Sequence, residues 1–205
     1  MKKLLIVGAG GHGRVIADIA LKMNKWQQIA FLDDDTTVKS SMGYDVIGTS
    51  SKALNLIEEY SIFVAIGSNE IREMIYKQIK TAGATVPKLI HPSTNIGVQV
   101  EIGEGTVMMA GAIVNCGSKI GEGCIVNTGA TIDHDATIGD YVHISPGVHI
   151  SGTVKIGKGT WLGVGSVVSN NIRIAGGTVV GAGAVVVRDI IEAGTYIGVP
   201  AERIL

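Results

Sequence analysis

From Ile96 to Val186 the chain sets an aliphatic residue at every sixth position without a slip: Ile96, Ile102, Met108, Val114, Ile120, Val126, Ile132, Ile138, Ile144, Ile150, Ile156, Leu162, Val168, Ile174, Val180 and Val186. Four residues after each of these except the last stands a small or β-branched one, from Val100 and Thr106 through Cys124, Ala130 and Ala136 to Thr178 and Ala184. A helix needs a period of 3.6 and a lone strand a period of 2, so neither explains a period of six. A parallel β-solenoid does. Each hexapeptide makes one short strand and a turn, and three hexapeptides make one triangular coil of eighteen residues. About five coils are expected, stacked at the ~4.8 Å spacing of any sheet. The aliphatic residue and the small one both face inward, and glycine serves turns that need positive φ.

Residues 1–88 follow another pattern. Lys3–Val7 reads as a short apolar strand, Arg14 to about Met23 as a helix, and Ile29–Leu32 as a second strand ending at Asp33 and Asp34. Between the first strand and the helix, Gly8-Ala9-Gly10-Gly11-His12-Gly13 satisfies G-x-G-x-x-G. Such a turn lets backbone amides at a helix N-terminus approach a phosphate, and an acid about 20 residues on reaches a ribose hydroxyl. On the motif alone the ligand would be NAD. A dinucleotide spans two mononucleotide halves, whereas this stretch supplies little more than one, so a single nucleotide fits better. A structural cap whose glycines only make a tight turn is the alternative. The expected organisation is therefore an α/β Rossmann-like domain over 1–88, followed by the repeat domain over 89–205 with its C-terminal tail.

Composition adds exclusions. The chain has 205 residues, 29 of them glycine, and a formal net charge of −1. Glycine at that level beside abundant aliphatics marks a periodic architecture rather than disorder. The near-neutral charge offers no basic patch to nucleic acid. The opening MKKLLIVGAGGHG resembles a signal peptide, but its apolar run ends at Val7 and no small-residue cleavage site follows a proper apolar core. No stretch approaches the roughly 18 apolar residues of a membrane span. Cys116 and Cys124 have neither metal nor redox spacing, which fits a reducing cytoplasm.

Within the repeats, ATIDHDATIGDYVHISPG (130–147) interrupts the Gly, Ile, Val and Thr background with histidines and acids. Ile132 and Ala136 take inward slots, so His134 takes an outward one between Asp133 and Asp135. Histidine suits proton acceptance near neutrality, and an adjacent carboxylate fixes its tautomer and stabilises the imidazolium. Either aspartate can be the one that reaches the ring, and a merely solvated turn histidine is the bland alternative. The register sends His134, His143 and His149 out from three different faces of one coil, so no metal site forms within one chain. Cys124 falls inward as core, and Cys116 points outward with no basic neighbour in sequence to activate it.

The hexapeptide repeat, the ending IGVPAERIL and the segment NTGATIDHDATIGDYVHISPG resemble the left-handed β-helix sugar acyltransferases of bacteria. Among them the chain is similar to the sialic acid O-acetyltransferases and UDP-4-amino-sugar N-acetyltransferases. GAGGHG, FLDDD, AIGSNEIR and LIHPS extend the likeness over nearly the whole chain. The resemblance implies a left-handed parallel β-helix and acetyl-CoA as acyl donor, and the diverging histidines argue against a metal. It implies His134 as general base with Asp135 raising its basicity. It implies acetyl-CoA contacts at His143, Gly152, Val164 and Ala182, mostly through the main chain. For the acceptor it implies Gly10, Gly11 and His12 at the phosphates or sugar, Asp33 and Asp34 at the nucleoside, and Gly67 nearby.

The expected protein is thus a cytoplasmic homotrimeric acetyltransferase acting on a UDP-linked amino sugar for a surface glycan. Acetylation of a sialic acid or other free sugar at oxygen is the nearest alternative. A nucleotide-sugar-binding trimeric scaffold and a metal-dependent hydratase on the same β-helix are readings from other classes. Outward Val107, Ile113, Ile125, Trp161, Val167, Val179 and Val185 are too apolar for a solvated prism and are expected to bury between subunits.

Overall fold

The computed structural model describes residues 2–204, and the chain divides after Pro92 into two compact units. The first unit is a three-stranded parallel sheet in the order Gln28–Leu32, Lys3–Val7, Ser61–Val64. Its strands are almost continuous apolar runs, as expected of strands buried on both faces. Helix α1 (Gly11–Met23) begins inside the glycine motif, three residues earlier than its apolar periodicity suggested, and buries Gly13, Ile16, Ala17, Ile19 and Ala20. Helix α2 (Asn69–Thr81) starts at Ser68, whose hydroxyl accepts the Ile71 amide, and buries Arg72, Tyr76 and Ile79. Leu89–Ile90 packs on α1.

The second unit is the solenoid. Its first face stacks Asn95–Ile96, Ile113–Val114, Thr131–Ile132, His149–Ile150, Val167–Val168 and Val185–Val186. The second stacks Glu101–Ile102, Lys119–Ile120, Thr137–Ile138, Lys155–Ile156 and Arg173–Ile174. The third carries Val107–Met108, Ile125–Val126, His143–Ile144, Trp161–Leu162, Val179–Val180 and then Thr195–Ile197. The inward slots from Met108 to Val186 are buried, whereas Ile96 lies exposed at the start of the stack. The solenoid makes about six turns, close to the five expected. Its last turn pairs Thr195 with Val179, out of step with the eighteen-residue register, so the hexapeptide period did not announce it.

Two of the seven apolar outward positions need no second subunit. Val107 and Ile125 are already buried within the chain, while Ile113 and Trp161 are exposed and Val167, Val179 and Val185 half-buried. Among the described residues no helix is long and apolar enough to cross a membrane.

Two physical roles stand out among the glycines of the solenoid, only one of which the sequence foresaw. At the corner between the third and first faces, Gly129 and its stacked equivalents have φ near 65°, a conformation without steric cost for glycine alone. The glycine directly after an inward aliphatic is different: its φ is ordinary, but its neighbour coil is too close for a side chain. A Cβ on Gly157 would lie 2.3 Å from the Gly176 nitrogen, and one on Gly103 2.4 Å from the Gly121 carbonyl carbon. A Cβ on Gly129 would meet nothing within 4 Å. Gly129→Ala is therefore expected to cost about 1–2 kcal/mol, the penalty of a left-handed alanine, and Gly157→Ala more, because backbone must move. Chemical denaturation of both variants checks the order; equal or reversed losses would contradict it.

Candidate active site

The first corner, between the first and second faces, carries His134. It lies in the turn after Thr131–Ile132, with its side chain 52% exposed. Asp135 has φ 56°, a left-handed conformation that Asp and Asn tolerate better than other side-chain-bearing residues. In this tight turn the two neighbouring side chains meet, as they would not on an extended strand. His134 Nδ1 and Asp135 Oδ2 are 2.9 Å apart. The contact assigns the proton to Nδ1 and leaves Nε2 with a free lone pair. The hydrogen bond that Nδ1 donates to Asp135 is the main reason the imidazole pKa is raised above its ordinary value, with the charges of Asp133 and Asp135 adding to it.

Asp133 has a different task. Its Oδ1 accepts the Asn115 side-chain amide at 2.8 Å and the His134 backbone amide at 2.9 Å, and these bonds hold its carboxyl below the usual range. It secures the turn, and Asp135 secures the ring. Above the ring on the next coil sits Gly152. A Cβ there would stand 2.6 Å from His134 Nε2, so only glycine leaves the ring this position.

His143 lies on the third face. Its ring stacks on Trp161 at 5.9 Å between centroids and 7° between planes, its Nε2 is 3.3 Å from Asn127 Nδ2, and Trp161 Nε1 donates to Ser145 Oγ at 2.9 Å. Val164 and Ala182 are exposed on the corner between the third and first faces, one coil apart. The four sequence-predicted donor residues therefore form two groups on one chain. Gly152 stands with His134 at the first corner, while His143, Val164 and Ala182 lie beyond the first face. His149 lies on the first face, stacked on Thr131 of the preceding coil with its Nδ1 2.9 Å from the Thr131 hydroxyl, while His134 stands at the first corner and His143 on the third face. Among the described residues no group of three or more His, Cys, Asp or Glu gathers to hold a metal.

In the first unit, the glycine motif splits by role. A Cβ on Gly13 would come 1.9 Å from the Gly8 carbonyl, and one on Gly8 2.8 Å from the Ala65 carbonyl, so these two permit close helix–strand packing. Gly10, Gly11 and Gly67 face open space. His12, in the first turn of α1, has a buried Nε2 without a hydrogen-bond partner. Burial, helped by the Arg72 charge, lowers its pKa to about 4, so this imidazole is neutral at physiological pH. Asp33 and Asp34 line a cavity of about 250 Å³ with Ser50 and the apolar Val7, Leu32, Ile66 and Ile75. Both also tie down backbone: Asp33 accepts the amides of Ala9 (2.7 Å) and Asp35 (2.9 Å), and Asp34 accepts the Ser50 amide and hydroxyl. Gly10, Gly11, His12 and Gly67 do not line that cavity. Arg72, which sequence reasoning passed over, is wholly buried and donates to the carbonyls of Ile66 and Gly67 and to Asn69 Oδ1. Its signal was present, since Arg72, Tyr76 and Ile79 share one helical stripe. Asn127 carried no comparable mark, and Trp161 was marked only as an outward apolar residue.

Comparison with known proteins finds similarity in both units of the chain. The family profile of the PglD N-terminal domain matches residues 3–79, and that of the bacterial transferase hexapeptide (six repeats) matches residues 117–152. The UDP-N-acetylbacillosamine N-acetyltransferase of Bacillus subtilis (strain 168) is 38% identical over 114 residues. That match covers 54% of this chain and only about half, 52%, of the relative. Among solved structures, the acetyltransferase domain of PglB from Neisseria gonorrhoeae FA1090 is 42% identical with a TM-score of 0.96, covering 100% of both chains. The same domain is also known in complex with acetyl coenzyme A. PerB of Caulobacter crescentus, in complex with CoA and GDP-perosamine, is 35% identical with a TM-score of 0.95, covering 100% of this chain and 98% of that one. The chain belongs to the left-handed β-helix sugar acetyltransferases.

Proposed function

We propose that the protein transfers the acetyl group of acetyl-CoA directly to the amine of a UDP-linked amino sugar, with His134 as general base. The observation that carries this reading is the His134–Asp135 pair: an exposed imidazole held by its Nδ1, with a basic Nε2 facing outward over Gly152. An amine attacks a thioester only through its lone pair. As the N–C bond forms and the C–S bond breaks, Nε2 takes the amine's proton and can return it to the departing CoA thiolate. The Asp135 carboxylate stabilises the imidazolium formed on the way.

Nitrogen as the acceptor is supported by the N-acetyltransferase names of the Bacillus and Caulobacter relatives, and a nucleotide sugar by the ligand of PerB. Variants of that Caulobacter enzyme with a histidine replaced by asparagine or alanine are also known with CoA and GDP-perosamine bound. The uridine nucleotide follows the Bacillus relative. We assign Asp33, Asp34 and their cavity to the nucleoside, and Gly10, Gly11, His12 and Gly67 to the phosphates or sugar. A cytoplasmic setting fits this substrate and the free Cys116 and Cys124. The separation of the two donor groups supports a trimer in which Gly152 and His134 of one subunit face His143, Val164 and Ala182 of the next.

Three outcomes test this. Thiol release with acetyl-CoA and a panel of UDP- and GDP-linked amino sugars should show kcat falling about 10²–10⁴-fold in His134→Ala, the range for losing a general base; near-full turnover would remove His134 from the chemistry. The base works only when neutral, so its raised pKa places the acid limb of the rate above that of an ordinary imidazole. Asp135→Asn keeps a residue suited to the left-handed turn but removes the charge, so the limb should move to lower pH; an unmoved limb would show that Asp135 does not tune the base. Sedimentation at micromolar concentration should give three times the monomer mass, and a monomer would contradict the shared site.

A further inference from the structure

The inward slot after the first corner is apolar in four coils, filled by Val100, Ala136, Val154 and Ile172. In the coil before His134 it holds Ser118, which is wholly buried. A buried hydroxyl gives up water and packs less apolar area than the valine or isoleucine found elsewhere in this column, so it is retained at a cost unless it is bonded. Ser118 is bonded twice, and both bonds go to the turn that carries His134. Its Oγ donates to the Asp133 carbonyl at 2.8 Å and accepts the Ala136 amide at 3.1 Å, gripping the turn at both ends from inside. On the outside of the same coil, Asn115 holds the Asp133 carboxylate, which in turn holds the His134 amide. The backbone between them joins in, because the Cys116 carbonyl accepts the Asp135 amide at 3.0 Å.

Inward hydroxyls as such are not unusual. Thr106 makes the same pair of bonds at another corner, to the Gly121 carbonyl and the Cys124 amide. The peculiarity of Ser118 is its column, in which the chain departs from aliphatic filling only beneath the His134 turn.

We propose that Ser118 and Asn115 are positioning residues for His134: from the preceding coil they fix the 133–136 turn in the conformation that brings Asp135 Oδ2 onto Nδ1 and leaves Nε2 over Gly152. Neither side chain bonds the imidazole; they act through the backbone and through Asp133. The catalytic part of this inference rests on the general-base role proposed for His134. The positioning part does not, because the ring's contact with Asp135 can be read directly.

The test compares wild-type protein with Ser118→Ala, Ser118→Thr and Asn115→Ala. It measures the NMR titration of the His134 ring alongside kcat and the two KM values. The charged groups facing that ring are Asp135 and Asp133, and all four proteins keep both. With the turn loosened, Ser118→Ala should move the titration midpoint down toward an ordinary histidine. It should also lower kcat roughly 10-fold, within what small misplacements of a reacting group produce, with both KM values within about twofold. Ser118→Thr restores the hydroxyl and should restore both readouts. Asn115→Ala, a surface change that leaves the core intact, should lower the midpoint in the same direction and serves if Ser118→Ala fails to fold. An unchanged midpoint in folded Ser118→Ala, or in Asn115→Ala where Ser118→Ala does not fold, overturns the positioning role whatever happens to kcat. A lowered midpoint with kcat unchanged upholds the positioning role and instead overturns His134 as general base.

Discussion

Everything in the second unit follows from one constraint: successive coils lie a strand spacing apart, so each residue is stacked on the one eighteen places earlier. The ladder Thr131↔His149↔Val167↔Val185 shows this for one column. Within that spacing a side chain can point inward, where it must fill the prism, or outward, or sit at a corner. Where inward aliphatics are followed by glycine, as at Gly103, Gly121, Gly139 and Gly157, the next coil's backbone leaves no room for even a methyl group. Chemistry is thereby confined to outward slots and corners, and a functional side chain is surrounded by residues one coil above and below it.

His134 illustrates how far this reaches. Its ring is supported by its chain neighbour Asp135, given room by Gly152 on the following coil, and held through its turn by Asn115 and Ser118 on the preceding one. The carbonyl of His134 accepts the Thr153 amide at 2.9 Å, so the following coil secures the turn as well. A residue fixed on two sides by backbone ladders can be half-exposed and still well oriented. The proton-accepting atom faces outward because the solenoid has no interior space for it. The same geometry distributes the donor-side residues over two corners and a face, and that distribution is the ground for proposing that a second copy of the chain completes the site.

The fold was legible because a period of six is incompatible with any other regular structure, and it fixed which residues of the repeats face inward. The end of the solenoid was not legible: the pairing of Thr195 with Val179 abandons the register that made the repeats visible. The reason for the Ile-Gly pairs was misread for a physical cause, since close approach between coils leaves no mark on a single sequence distinct from positive φ. His134 could be singled out by its slot and chemistry, and Asp135 only through the family resemblance. Which aspartate reaches the ring depended on the left-handed φ of Asp135 and on Asn115 engaging Asp133, and neither is written in the local sequence. In the first unit, the acids Asp33 and Asp34 were found at the cavity, but their bonds to Ala9 and Ser50 required the folded loop. Arg72 was hidden by the usual expectation that arginine is solvated.

The account stands most directly on where Nε2 of His134 lies relative to the atom that is acetylated. A crystal structure with CoA and a UDP-linked amino sugar bound together measures it. The account predicts the sugar amine within about 2.6–3.2 Å of Nε2, or joined to it through one water, as a general base requires. It also predicts the CoA sulfur between His134 of one subunit and His143 of the next. A sugar amine bound well beyond that reach, with another side chain against it, would contradict the account.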